Sequence, residues 1–70
     1  MSISNADKAI LIKMLNRNAR DESMAASTYR QDAIVARNRD AYLTANLFEA
    51  IAKEEEHHLS ELRAQLARIR

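Results

Sequence analysis

Small and apolar side chains recur at helical spacing through the first half of the chain, at Leu11, Leu15, Ala19, Ala26, Tyr29, Ala33 and Ala36. On a wheel of ~100° per residue they fall within roughly 60° of one direction. Ser4 or Asn5 can cap the start, and Asp7 puts a negative charge in the first turn, where the helix dipole favours it. Nothing interrupts the pattern before Arg37-Asn38-Arg39-Asp40, so the spacing predicts a first helix over about 5–37. A second stripe, Phe48, Ile51, Leu59, Leu62, Leu66 and Ile69, predicts a second helix over about 41–69. Asn38 or Asp40 is expected to end the first and cap the second. Two helices of about 30 residues, each ~45 Å long, make an antiparallel hairpin.

A lone hairpin covers only one side of each stripe. A second copy is therefore expected to pair with it, giving an all-α, two-fold symmetric homodimer closed as a four-helix bundle. Composition sharpens this picture. Seventy residues make a single small domain, 1–70, whose core is too small to stabilise itself comfortably. Oligomerisation, with metal, can compensate. Thirteen alanines and no Gly or Pro favour long helix with one tight break. The absence of Cys excludes disulfides, thiolate zinc sites and rubredoxin-type iron centres. Ile10, Met14, Met24 and Val35 form a further apolar row on the first helix, which suggests contacts beyond the dimer and gives Met14 and Met24 a packing role.

Charge changes the picture little. The net charge is +1, with Lys and Arg interspersed among acids, which argues against a nucleic-acid binder. No apolar run approaches the ~20 residues that cross a bilayer. Met1-Ser2-Ile3-Ser4-Asn5-Ala6-Asp7 has no signal-peptide core, so the cytoplasm is the expected location.

The anomaly is acid on the apolar faces. Glu22 falls in the middle of the first stripe, Glu55 near the middle of the second, and His58 at the edge of the second. Glu55-x-x-His58 puts a carboxylate and an imidazole one turn apart on one side of a helix, able to face one metal ion. Other readings exist. Glu54-Glu55-Glu56 can be a solvated charge run, and Glu22 can pair with a cross-helix Arg. The central position of both Glu22 and Glu55 favours metal. A closed dimer then gathers four carboxylates and two imidazoles, an inventory that matches di-iron and di-manganese carboxylate bundles. Such hard donors with imidazole suit iron or manganese, and zinc remains open. His57 reads as a surface residue, and the alternative register Glu54-x-x-His57 lies off the apolar face.

These residues also carry a family resemblance. Glu22-x6-Tyr29 followed by Glu55-x-x-His58 resembles one half of the ferritin-like superfamily, nearest to rubrerythrin and bacterioferritin. Phe48-x3-Ala52-x2-Glu55-x2-His58 is similar to the second helix of rubrerythrins, and Glu22-x6-Tyr29-x3-Ala33 to their first. With one helix pair instead of two, the chain is similar to the encapsulated ferritins, in which two short chains build the site. The resemblance implies Glu22 as a terminal ligand, Glu55 as a bridging carboxylate and His58 as a terminal nitrogen ligand, the same three being catalytic. It implies Tyr29 as an outer aromatic near the site, and two irons per dimer interface, with manganese or zinc as other occupants. The activity implied is ferroxidation, Fe(II) to Fe(III) with O₂ or peroxide, for iron storage or detoxification. Asp21, Glu54 and Glu56 are candidates for an acidic access path. A shell protein, and with it a location inside a protein compartment, is admitted by the resemblance, although no targeting extension precedes Arg70.

Two further readings stay open. One is a rubrerythrin-like peroxide-scavenging or manganese protein. The other is a non-catalytic helical interaction module that dimerises and holds zinc or calcium structurally.

Overall fold

The computed structural model describes residues 3–70, so what was read from Met1 and Ser2 lies outside the described residues. Two helices account for nearly all of them: α1, Asn5–Asn38, and α2, Tyr42–Ile69. They pack side by side as a hairpin measuring 53 × 16 × 12 Å. Length follows from the sequence, since 34 helical residues at ~1.5 Å each span about 51 Å. There is no strand among the described residues.

Local chemistry sets the ends. Ser4 caps α1: its hydroxyl accepts the Asp7 backbone N–H at 3.1 Å, satisfying one of the orphan donors of the first turn. The reversal departs from the expected side-chain cap. Asn38 is the last residue of α1, but the cap position of α2 is Ala41, which has no side-chain bond to give. The turn is built from backbone instead. The Asp40 N–H reaches the Arg37 carbonyl at 3.1 Å and the Ala41 N–H reaches the Ala36 carbonyl at 2.9 Å. That bond pair is the Schellman arrangement, which requires a left-handed residue, and Asp40 supplies it at φ 60°. Asp and Asn tolerate this region better than other non-glycine residues, because their short polar side chains bond locally. Asp40 does so by accepting the Tyr42 hydroxyl at 2.9 Å.

Alanines dominate the fully buried positions. Ala26, Ala33 and Ala36 on α1 and Ala45 and Ala52 on α2 are buried, and Leu66 is the one large side chain among the described residues to join them. Small side chains let the two backbones approach closely through the turn half of the hairpin. The larger stripe residues, among them Leu15, Tyr29, Phe48, Ile51 and Leu62, are only half-buried. Each has one side against the opposite helix and one side uncovered. Ile10, Met14, Met24 and Val35 are exposed, as are Ile34, Leu43 and Leu47. No helix among the described residues is long and apolar enough to cross a membrane.

Candidate metal centre

Glu22 sits near the middle of α1, and Glu55 and His58 near the middle of α2. Antiparallel packing brings these midpoints level. One ligand atom from each of the three lies within 4.8 Å of the others. His58 Nδ1 is 3.7 Å from Glu22 Oε2, too long for a hydrogen bond. A shared cation can lie between donors so spaced, because metal–nitrogen and metal–oxygen bonds of ~2.0–2.2 Å separate ligands by more than a direct bond does.

The electrostatics of the cluster support a cation. Glu22 Oε2 is shielded from solvent and has no hydrogen-bond partner. The alternative of a cross-helix arginine is not what the structure places there, since the arginines that bridge the helices are engaged elsewhere. Arg30 Nε donates to Glu56 Oε1 at 2.6 Å, and Arg37 holds Glu49 at 2.9 Å and Asn46 at 3.2 Å. Among the described residues no Lys or Arg pairs with Glu22 or Glu55. A shielded carboxylate oxygen without a partner is costly, and a positive ion removes that cost. The donor set therefore fits a metal.

The cluster is open on one side. The Glu22 side chain is 28% exposed and that of His58 53%, and both line an open groove with Leu15, Asn18, Leu62 and Gln65. Tyr29 lies seven residues after Glu22, two turns toward the hairpin end, against Phe48, seven before Glu55. Their ring centroids are 6.1 Å apart at 40°, a tilted aromatic contact between the two helices.

Other candidate residues lie elsewhere. Asp21 and Glu54 are exposed and do not join the cluster. Glu56 lines a different groove, with Ser27 and Ile34, and is tied to Arg30. His57 is exposed and lies against Glu61. Asn18 and Gln65 were not singled out from the sequence, although each stands at a helical repeat, four residues from Glu22 and seven from His58.

Comparison with known proteins follows the same line. Neither the curated proteins nor the solved structures gave a match. The family model of the ferritin-like domain matches residues 3–70. That is nearly the whole chain, and with the all-α hairpin it establishes that this protein belongs to the ferritin-like domain family.

Proposed function

We propose that two copies of this chain form a ferritin-like ferroxidase centre between them. The observation that carries this reading is the convergence of Glu22, Glu55 and His58 within 4.8 Å around an unpartnered carboxylate oxygen. One hairpin offers three donors on an open face, which is half of the inventory a two-metal carboxylate bundle uses. The second copy supplies the same three.

Surface area supports the pairing. The chain exposes 5383 Å². A compact monomer of its 8.0 kDa mass would expose roughly 4,450 Å². The excess of about 900 Å² is close to the ~800 Å² that each partner contributes to a standard interface. The half-buried Leu15 and Leu62 that line the groove would supply its apolar part.

Substrate iron brings the Fe(II)/Fe(III) couple, and O₂ or peroxide accepts the electrons. The residues hold and bias it. Glu22 and Glu55 would concentrate negative charge, which favours the trivalent over the divalent ion, and the family resemblance gives Glu55 the role of a carboxylate shared by two metals. His58 offers Nδ1 toward Glu22, leaving Nε2 free for a partner that fixes the ring. Manganese fits the same donors. Storage or detoxification of iron is the role this chemistry suits.

Aerobic addition of Fe(II) should raise near-ultraviolet Fe(III) absorbance, and Glu55→Ala and His58→Ala should abolish the rise. Elemental analysis of the native oligomer should find two irons per two chains. Unchanged oxidation in both variants sinks the proposal. A second reading, a non-catalytic dimeric module, draws on the exposed Leu43, Leu47 and Ile34. It expects metal-free protein that stays dimeric and is as heat-stable as the loaded form.

A further inference from the structure

The outward side of α1 carries Ile10, Met14, Met24 and Val35, all exposed. On a wheel of ~100° per residue they lie roughly 130° from the buried Ala26, Ala33 and Ala36. None of them lines the groove of Glu22 and His58. Ile10 and Met24 are 57% and 63% exposed, so α2 covers neither. The spacing of this side is regular. Ile10, Arg17, Met24 and Gln31 stand seven apart, and so do Asp7, Met14, Asp21, Thr28 and Val35. The two sets interleave at steps of three and four, the heptad pattern of a seam that packs against another helix. Arg17 and Asp21 interrupt its apolar run in the middle. Neither has an ion-pair partner among the described residues.

We propose that this side of α1 packs against the same side of α1 in a second copy, the helices antiparallel and the two-fold axis level with Ala19. Each residue then faces the one equally far beyond Ala19 on the other copy. Arg17 meets the partner's Asp21, and by symmetry Asp21 meets the partner's Arg17. Met14 meets the partner's Met24, Ile10 the methyl group of the partner's Thr28, and Asp7 the amide of the partner's Gln31. Val35 comes level with the partner's Ile3, which is also exposed. Other arrangements set charge against apolar groups or against like charge. Sliding one copy by a heptad puts Arg17 on the partner's Met14 and Asp21 on the partner's Ile10, or Arg17 on the partner's Thr28 and Asp21 on the partner's Met24. A parallel pair puts Arg17 on the partner's Arg17. A polar pair inside an apolar seam is a known means of fixing register and direction. Because the row complements itself, its occupant is another copy of this chain. The face is separate from the groove, so the inference does not rest on the ferroxidase reading, and a chain with two such faces joins more than two copies.

The full chain has no Cys, so introduced thiols report only on the chosen contact. Mixed Met14→Cys and Met24→Cys chains, mildly oxidised, should cross-link several-fold more than either variant alone. Ready cross-linking of Met14→Cys with itself would mean parallel copies and overturns the proposal. Arg17→Glu and Asp21→Arg should each lower the native mass, and the two changes together should restore it. Both positions are exposed, so helicity by circular dichroism should match wild type throughout. Wild-type mass in both single variants overturns the proposal and leaves the row to a different protein. With Leu62→Asp added, which is aimed at the groove, the cross-link should persist. Its loss there would merge the row into the groove interface and overturn a separate face.

Discussion

An acceptor shielded from water and bonded to nothing weakens a fold, and Glu22 Oε2 is such an atom in the metal-free hairpin. Leucine at this position would continue the apolar stripe of Leu15, Ala19 and Ala26. Glu22→Leu is therefore expected to stabilise the metal-free protein by about 1 kcal/mol, because it removes a shielded acceptor that has no partner. It should also eliminate metal binding. Thermal melting in chelator and elemental analysis measure the two effects, and a lower melting temperature would mean that Glu22 is already well partnered. The meeting of Glu22 with Glu55 and His58 was legible because each residue's direction follows from its place in a 3.6-residue repeat. The pairing of His57 with Glu61 was not. On a helix so rich in charge, residues four apart with opposite character are common, and nothing in their spacing marks one pair as the one that forms.

The reversal between α1 and α2 shows where side-chain logic reaches its limit. Periodicity placed both helices because their stripes run for many turns without a breaker. It could not foresee that the turn would be made by backbone bonds to Ala36 and Arg37, with Asp40 taking the left-handed position usually given to glycine. A chain with no glycine must put some other residue there. Asp40→Val should destabilise the hairpin by about 1–2 kcal/mol, since a β-branched side chain is strained at positive φ, whereas Asp40→Gly should be tolerated. Chemical denaturation of the two variants side by side tests this. Equal stability would show that the turn relaxes into another form.

For the whole molecule, the decisive quantity is how much of the apolar stripe one hairpin leaves uncovered. Leu62 stands beside the centre, half-buried against α1 and open to the groove. A charge there would be forced into the interface of the proposed dimer. Leu62→Asp should shift the native mass toward a single chain and lower metal content with it, because in the proposed centre each copy holds only half of the donors. A dimer that survives this change with its metal would place the interface on another face. The case for a second copy could be read from stripes too broad for one neighbour, which the single hairpin leaves half-covered. The orientation of the two copies could not, since a pair of parallel and a pair of antiparallel hairpins bury the same residues.

The ends of the hairpin meet at the end remote from the turn, where Lys8 Nζ donates to the Arg70 carbonyl at 3.3 Å. Tandem fusion of two copies therefore turns connector length into a ruler for their arrangement. Copies pointing the same way could be joined by a few residues. Copies pointing opposite ways would need a strap along the full 53 Å, at least about 15 residues of extended chain. A bundle of the latter kind, written as one polypeptide, would carry the single long crossover of four-helix ferritin-like chains.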